Sequence, residues 1–297
     1  MGAEIRTGQF AQLANGIRLH YASAGPSGAP LLLFLHGFPE FWFEWQAQLS
    51  EFGGDYFAVA PDLRGFNLSD QPADVAQYRA RHIVEDIRQL VAQLGYDKFI
   101  LVAHDWGGAI AWNFAIALPQ QLHRLIIINA PHPYLFAKAL EHDPQQQAAS
   151  DYMNWLRAEG SEQALANNDF ALLEGFFSRM GKADWFAGAV REQYHACWAR
   201  GLRGGVNYYR ASPLHPAIAQ QPSPAALTLD KESLRVHVPT RVIWGEQDHA
   251  LPKSLLDGLD GLVADHRIER IPDGSHWVVH EQPERVNQLL RQFLSDD

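Results

Sequence analysis

Short runs of consecutive apolar residues alternate with longer amphipathic stretches along most of this chain. Runs that are apolar at every position are typical of strands covered on both faces, and apolar residues three or four apart are typical of surface helices. The first pattern predicts strands at residues 31–35, 56–60, 99–103, 125–129, 241–244 and 266–271. The second predicts helices at residues 82–94, 109–118 and 283–294. We therefore expect an α/β protein whose mostly parallel sheet carries helices on both faces.

An antiparallel hairpin is predicted at the start of the sheet. Two β-rich runs, residues 10–13 and 17–23, lie on either side of the dipeptide Asn15-Gly16. Asn-Gly is favoured in two-residue hairpin turns because both of its residues tolerate positive φ. We expect these two strands to pair with each other before the chain enters the parallel part of the sheet.

The stretch from Pro133 to Pro224 interrupts this alternation of strands and helices. It is rich in aromatic residues and contains helical patterns around residues 148–157, 169–177 and 185–200, but no convincing strand. A helical insertion between two strands of one sheet fits this pattern better than a second independent domain. We expect a core made of residues 1–133 and 226–297 and an inserted helical segment of residues 134–225.

Composition and charge restrict the partners of the protein. The chain has 297 residues, and its 24 Lys+Arg against 34 Asp+Glu give a formal net charge of −10. This charge repels phosphate backbones and anionic lipids, so we expect neither nucleic acid nor a membrane surface as a partner. The single cysteine, Cys197, excludes an internal disulfide and a cysteine-based metal site. The first residues lack the apolar segment of a secretory signal, which favours a cytoplasmic location, and the sequence leaves open whether the chain forms a homodimer.

The segment from Phe99 to Trp112 has the pattern of a nucleophile turn. A predicted strand ends at Ala103, and Asp105 follows in the arrangement small–x–Asp–x–small, which Gly107 completes. Small residues are needed because the strand and the next helix approach closely around a sharply turned central residue. A carboxylate is ionised at neutral pH, so Asp105 suits attack on a saturated carbon with a strained or good leaving group. The alternative role of this aspartate is to cap the following helix.

Two residues farther along the chain complete a candidate catalytic triad. Asp248 and His276 each follow a predicted strand directly. The order nucleophile, acid and histidine, each after a successive strand, is typical of hydrolases with a strand–turn–helix nucleophile. Glu246 is the competing acid, but Asp248 has the better spacing after its strand. An ester formed on Asp105 needs such a base and acid to activate the water that hydrolyses it.

Backbone donors for an oxyanion are expected beside this turn. The first is the N–H of Trp106, the residue after Asp105, at a helix N-terminus whose dipole favours negative charge. The second is the N–H of Phe38, which lies in the segment HGFPE at residues 36–40, directly after a buried strand. Glycine and proline on either side of Phe38 indicate a special backbone path, as a tight turn at this point requires.

Six motifs together resemble those of the α/β-hydrolase-fold epoxide hydrolases and their dehalogenase relatives: HGFPE, PDLRGFNLSD, AHDWGG, INAPHP, WGEQDH and DGSHW. The resemblance covers nearly the whole chain. It implies an α/β-hydrolase fold with an eight-stranded, mostly parallel sheet, a helical cap inserted after the sixth strand, catalytic roles for Asp105, Asp248 and His276, and no cofactor or metal. One departure is Asn67, where the family's RGxGxS segment has glycine, but asparagine also tolerates left-handed geometry. Five further residues are expected to line the pocket: His36, Pro39, His104, Trp155 and Trp277.

Two segments of the expected cap decide between epoxide and halide chemistry. Opening an epoxide leaves an alkoxide, which needs a proton or hydrogen bond from an acid such as tyrosine, whereas a halide needs none. The segments DYMNW and GGVNYYR resemble the two cap segments that carry the paired ring-opening tyrosines of epoxide hydrolases. The match falls on Tyr152 and Tyr209, with Tyr208 as the alternative to Tyr209. We therefore expect hydrolysis of a small apolar or aromatic epoxide to a vicinal diol through an ester on Asp105.

Dehalogenation with the same nucleophile is the alternative function. Fluoroacetate dehalogenases carry arginines one and four places after the nucleophile, where this chain has Trp106 and Ala109, and a pocket histidine where it has Asn154. Haloalkane dehalogenases share a tryptophan at the position of Trp106, but they usually have asparagine where this chain has Phe38. A binding protein without turnover fits less well because the triad is intact, and an esterase fits less well because no serine occupies the turn.

Overall fold

The computed structural model describes residues 2–218 and 229–295. The strands in these residues are β1 Ile5–Gln12, β2 Arg18–Ala24, β3 Leu31–Leu35, β4 Phe57–Pro61, β5 Phe99–His104, β6 Leu122–Ile128, β7 Thr240–Gly245 and β8 His266–Ile271. They form one sheet in the spatial order β1-β2-β4-β3-β5-β6-β7-β8. β2 pairs antiparallel with both β1 and β4, and the pairs from β4 across to β8 are parallel. The predicted α/β class and mostly parallel sheet are confirmed.

The hairpin between β1 and β2 is also confirmed. The N–H of Leu13 donates to the carbonyl oxygen of Ile17 at 2.8 Å, and Gly16 in the turn has a φ of 88°. A positive φ of this size is accessible to glycine at little cost, which explains why the turn falls on the Asn-Gly dipeptide.

Helices cover the sheet and fill the segment between β6 and β7. Those in the described residues are α1 Gln46–Phe52, α2 Ala80–Gln93, α3 Asp105–Ala117, α4 Pro133–His142, α5 Pro144–Ala149, α6 Asp151–Arg157, α7 Ser161–Met180, α8 Gly188–Trp198, α9 Arg203–Ala211, α10 Val278–Glu281 and α11 Pro283–Ser295. We refer to residues 133–211, which hold α4 to α9, as the helical insertion. None of these helices is long and apolar enough to cross a membrane.

Two hydrophobic cores lie on opposite faces of the sheet. Along β3, Leu31, Leu33 and Leu35 enter the core that contains residues of α2 and α3, while Leu32 and Phe34 enter the core that contains residues of α1 and α11. This alternation is the period-two geometry of a strand buried on both sides. Because both faces are covered, the chemistry of the sheet is confined to the ends of its strands.

The prediction for the helical insertion was incomplete at α4, at α9 and in the first part of α7. No helix was predicted for α4 or for α9, although α9 carries Tyr209. Within α7 the residues Asn168, Asp169 and Phe170 have φ values of 51°, 53° and 63°, so the helix predicted at residues 169–177 is wrong at its first two positions. The predicted boundary between residues 225 and 226 lies outside the described residues.

The helix α9 forms because of its packing and despite its sequence. Gly204 and Gly205 lie in its first turn, and glycine disfavours helices by about 1 kcal/mol relative to alanine. A Cβ atom on Gly204 would lie 2.1 Å from the carbonyl oxygen of Gly65, and one on Gly205 would lie 2.8 Å from the ring of Phe38. The two glycines therefore let α9 lie directly on the loops that follow β3 and β4, which brings Tyr209 close to the end of β5.

Candidate active site

Asp105 occupies a strained turn at the carboxyl end of the sheet. It follows β5 and begins α3, and its φ of 49° lies in the left-handed region that residues with a Cβ atom rarely adopt. A Cβ atom on Gly37 would lie 2.2 Å from Oδ1 of Asp105, and one on Gly107 would lie 2.3 Å from the carbonyl oxygen of Leu35. The close approach predicted around the turn is therefore present.

The carboxylate of Asp105 lies between the loop after β3 and the ring of His276. The N–H of Phe38 donates to Oδ1 at 2.8 Å, and Nε2 of His276 lies 3.4 Å from Oδ2. Burial raises the pKa of Asp105, but the hydrogen bond and charge of His276 outweigh that effect and hold the pKa below its usual value. The N–H of Trp106 lies in the first turn of α3, where backbone donors have no partner within the helix.

His276 is oriented by Asp248, which is itself held by three other donors. Nδ1 of His276 lies 2.7 Å from Oδ2 of Asp248. Oδ1 of Asp248 accepts from the N–H groups of Ala250 and Leu251 at 2.8 Å, and Oδ2 accepts from Nδ2 of Asn129 at 2.8 Å. Asn129 was not predicted from the sequence as a site residue, although its position directly after β6 is a signal of a residue at the carboxyl edge of the sheet.

The two carboxylates keep His276 charged. Burial lowers the pKa of His276, but the charge of Asp248 and the hydrogen bonds to Asp105 and Asp248 outweigh burial and raise the pKa to about 9. The imidazole is therefore protonated at neutral pH. An imidazolium cannot take a proton from water, so His276 can act as a base only after one of its carboxylate neighbours has lost its charge.

Tyr152 and Tyr209 face the same space as Asp105. Their ring centroids are 6.1 Å apart, and the ring of Tyr209 also packs edge-on against Trp106 at 5.0 Å. Burial and the charge of Asp105 raise the pKa of Tyr152. Burial, the neighbouring Tyr152 and the charge of Asp105 raise the pKa of Tyr209. Both phenols therefore stay protonated. The hydroxyl of Tyr208 instead donates to the backbone carbonyl of Arg64 at 2.9 Å.

A cavity of about 590 Å³ lies between the end of the sheet and the helical insertion. Its polar lining includes Asp105 and the hydroxyl-bearing rings of Tyr152 and Tyr209. Most of the remaining wall is apolar and includes Ile110, Pro131, Pro133, Phe136, Met153, Leu214, Leu234 and Leu251. A cavity of this volume and polarity is typical of sites that bind small apolar molecules through a few polar groups.

The five other residues expected at the pocket do not line this cavity in the part of the chain that the structure describes. His36 lies beneath the loop after β3, where Nδ1 donates to the carbonyl of Gly37 at 2.8 Å and Nε2 accepts from the N–H of Leu63 at 2.9 Å. Pro39 follows Phe38 through a cis peptide bond, and its carbonyl accepts from a tryptophan Nε1 at 2.7 Å. Both residues shape the loop after β3 instead of contacting the cavity.

His104, Trp155 and Trp277 are placed elsewhere for reasons of strand and helix geometry. The side chain of His104 points to the opposite face of the sheet from Leu35 and Ala103, because neighbouring residues of a strand alternate between faces. Trp155 is 42% exposed on the surface of α6. Trp277 is buried, and its Nε1 donates to a backbone carbonyl of α7 at 2.9 Å. Glu246, the competing acid, forms ion pairs at 3.2–3.5 Å with basic side chains instead of reaching the triad histidine.

A buried polar network lies behind the triad and was not identified from the sequence. Nδ1 of His104 lies 2.6 Å from Glu44 and 3.5 Å from Glu40, and Glu40 also binds the Tyr194 hydroxyl at 2.8 Å and Nε2 of His280 at 2.5 Å. Nε2 of His104 lies 2.9 Å from the backbone carbonyl oxygen of His276. The network therefore fixes the backbone that carries this histidine.

Glu40, Glu44 and His104 also offer three ligand atoms within 4.8 Å of one another, so they could be considered for a metal site. Nδ1 of His104 lies 2.6 Å from a carboxyl oxygen of Glu44, which is an ion-pair distance. Burial lowers the pKa of His104, but the charges of Glu44 and Glu40 and their hydrogen bonds raise it well above its usual value. The donor set is thus explained by a protonated histidine between two carboxyl groups, and we do not assign a metal to it.

Comparisons with known proteins identify the family. Residues 30–283 match the family model described as alpha/beta hydrolase fold. The chain is 34% identical over 286 residues to the AB hydrolase superfamily protein YfhM of Bacillus subtilis, covering 95% of this chain and 96% of that protein. It is 34% identical over 292 residues to epoxide hydrolase 4 of Mus musculus, covering 95% of this chain and 78% of that protein.

A solved structure gives the same relationship in three dimensions. The structure of a Bacillus megaterium epoxide hydrolase with an inhibitor superposes on this chain with a TM-score of 0.86 at 34% identity, covering 97% of this chain and 100% of that one. The similarity thus extends over the sheet, the helical insertion and the strand ends that carry Asp105, Asp248 and His276. The chain belongs to the α/β-hydrolase-fold family, and within it to the epoxide hydrolases.

Proposed function

We propose that the protein hydrolyses an apolar or aromatic epoxide to a vicinal diol through a covalent ester on Asp105. The observation that carries the proposal is the pair of protonated phenols, Tyr152 and Tyr209, in the same apolar cavity as an ionised carboxylate. Neither an esterase nor a dehalogenase needs two such acids at the site of bond cleavage. The relatives named as epoxide hydrolases support the same assignment.

In the first step, one oxygen of Asp105 attacks a ring carbon of the epoxide. Oδ1 is held by the N–H of Phe38, so Oδ2 is the oxygen that attacks. The ring C–O bond breaks, and its electron pair goes to the epoxide oxygen, which receives a proton from the tyrosine pair. The hydroxyls of Tyr152 and Tyr209 suit this task because burial keeps them protonated until the alkoxide forms.

In the second step, water hydrolyses the ester. Formation of the ester removes the charge of Asp105, so the pKa of His276 falls and its proton can return to the tyrosinate. Neutral His276 then takes a proton from water, and the hydroxide adds to the ester carbonyl while the N–H groups of Phe38 and Trp106 stabilise the oxyanion. Collapse releases the diol, which takes up the remaining proton, and restores both the Asp105 carboxylate and the imidazolium.

The test of this function is the mass of the protein after incubation with substrate. A His276→Gln variant should form the ester but not hydrolyse it. With an aryl epoxide, intact-protein mass spectrometry should show a gain equal to the whole epoxide, and peptide mapping should place the gain on Asp105. The matched control is His142→Gln, at a histidine that is 65% exposed on the helical insertion, which should turn over without accumulating an adduct.

Parallel incubations of the His276→Gln variant with fluoroacetate and a haloalkane separate the proposed function from dehalogenation. A gain equal to substrate minus hydrogen halide, in the absence of an epoxide adduct, would make the protein a dehalogenase. Trp106 would then be assigned to the halide, since it lines the cavity beside Asp105. No adduct with any of the three compounds would contradict the covalent mechanism.

A further inference from the structure

One wall of the active-site cavity carries two arginines that the reaction does not use. Arg79 and Arg81 line the same cavity as Asp105, and both side chains are exposed. Arg79 immediately precedes α2, and Arg81 lies in the first turn of that helix. Exposed guanidinium groups at the edge of an otherwise apolar cavity are available to an anionic group of a bound molecule.

The positive charge of this wall is not neutralised by the described part of the chain. Among the described lining residues, Asp105 is the one carboxylate, and neither Arg79 nor Arg81 forms an ion pair with a carboxylate. Among the described residues, Arg81 donates to the ring of His82 at 3.4 Å. Residues 219–228, which the structure does not describe, contain no charged residue.

The acidic side chains of α2 are committed to other partners. Asp86 forms a buried ion pair with Arg64 at 2.6 Å, and Glu85 forms a partly exposed ion pair with Arg88 at 2.6 Å. The first turn of α2 contains no acidic residue, and no side chain caps it, so the helix dipole adds to the positive potential of the two arginines. This local excess of positive charge contrasts with a chain whose formal net charge is −10.

We propose that Arg79 and Arg81 bind an anionic group of the substrate, so that the preferred epoxide carries a carboxylate at the end of an apolar chain or ring. The inference rests on the proposed epoxide hydrolysis. Guanidinium groups stay charged at all working pH values and match carboxylates with paired N–H donors. The apolar wall holds the hydrocarbon, and attachment at the arginines fixes which ring carbon lies over Asp105.

Two substrates that differ only in charge test the proposal. One is a terminal epoxide on an alkyl chain that ends in a carboxylate, and the other is its methyl ester; several chain lengths are compared. The measured quantity is kcat/KM for the acid divided by kcat/KM for the ester. Arg79→Gln and Arg81→Gln should each lower this ratio by about threefold and the double variant by about tenfold, mainly through KM. Added salt should lower the ratio for the wild type.

Arg88→Gln is the matched control, because it removes the same charge from the same helix at a side chain that pairs with Glu85 and does not line the cavity. Its ratio should equal that of the wild type. An unchanged ratio in the double variant, or an equal fall in Arg88→Gln, would overturn the arginine site while leaving epoxide hydrolysis intact.

A binding measurement keeps the two proposals separable. Calorimetric titration with the saturated acid and its methyl ester, neither of which can react, should show tighter binding of the acid to the wild type and no such preference in the double variant. If the wild type opens neither epoxide, the proposed function fails, and the calorimetry alone decides whether the two arginines bind the anion.

Discussion

Replacing Asp105 by asparagine should lower the pKa of His276. The imidazolium lies 3.4 Å from Oδ2 of Asp105 and 2.7 Å from Asp248, and together with burial these contacts set its pKa at about 9. The variant keeps the side-chain shape but removes one of the two charges. It therefore imitates, electrostatically, the state in which Asp105 has been converted to an ester.

The size of the change follows from the interaction that is lost. A hydrogen bond to a charged group contributes about 1.5–3 kcal/mol, and one pKa unit corresponds to about 1.4 kcal/mol. Loss of the Asp105 charge should therefore lower the pKa of His276 by about one to two units, to between about 7 and 8. A histidine with that pKa is partly neutral at pH 7 and can act as a base, whereas the imidazolium of the free enzyme cannot.

Proton NMR of the imidazole ring as a function of pH measures this value. The chain has 14 histidines, so the signal of His276 is assigned by its loss in His276→Gln. Tyr152→Phe is the control, because it alters the same cavity without removing a charge and should leave the pKa at about 9. A pKa that stays at about 9 in Asp105→Asn would show that the charge of Asp105 does not raise the pKa of His276. His276 would then remain protonated in the proposed ester intermediate.

Four further substitutions test the glycine contact at Asp105, the roles of the two neighbouring tyrosines and the aromatic packing of the helical insertion. Gly37→Ala places a Cβ atom 2.2 Å from Oδ1 of Asp105, so kcat/KM should fall by about a hundredfold with an unchanged circular dichroism spectrum; normal activity would contradict the close approach. Tyr209→Phe should slow ester formation about a hundredfold in stopped-flow experiments, whereas Tyr208→Phe should mainly cost about 1 kcal/mol in the free energy of unfolding, and the reverse result would exchange their roles. Phe177→Ala should lower the free energy of unfolding in urea by about 3–5 kcal/mol, because its fully buried ring packs against five other aromatic rings; a loss below about 1 kcal/mol would contradict that packing.

The parts of the fold that the sequence predicts well are those with a strong local signal. The boundaries of β3 and β8 match the predicted ranges at both ends. The hairpin turn falls on the predicted Asn-Gly dipeptide, where Gly16 has a positive φ. Asn67 has a φ of 45°, as expected for a residue that replaces glycine, and its Nδ2 donates to a buried aspartate at 2.8 Å. In each case the residue types themselves determine the backbone geometry.

Predictions that depend on packing between distant segments were less successful. The helix α9 contains two glycines, so its helical state follows from contact with Gly65 and Phe38 and not from propensity. Trp155 was expected in the pocket but lies on the surface of α6, since an aromatic-rich pattern does not show which side of a helix faces the core. The partners of His104 come from residues far apart in sequence, and no local pattern joins them.

The proximity of Asp105, Asp248 and His276 was predicted where chain order constrains it. Each of the three follows a strand, and parallel strands bring those positions to one edge of the sheet. Asn129 stands in the segment INAPHP directly after β6, but no local pattern links it to Asp248, and Arg79 and Arg81 are recognised only by their positions in the cavity.

The origin of the oxygen in the product distinguishes attack by Asp105 from direct attack by water. A single turnover, with enzyme in excess over an aryl epoxide, is run in water enriched in the heavy oxygen isotope. Attack by Asp105 predicts that the first diol carries no heavy oxygen and that the label appears in the Asp105 carboxylate, because water adds to the ester carbonyl. Heavy oxygen in the first diol, with none in the peptide that contains Asp105, would show that water opens the epoxide directly and would contradict the covalent mechanism.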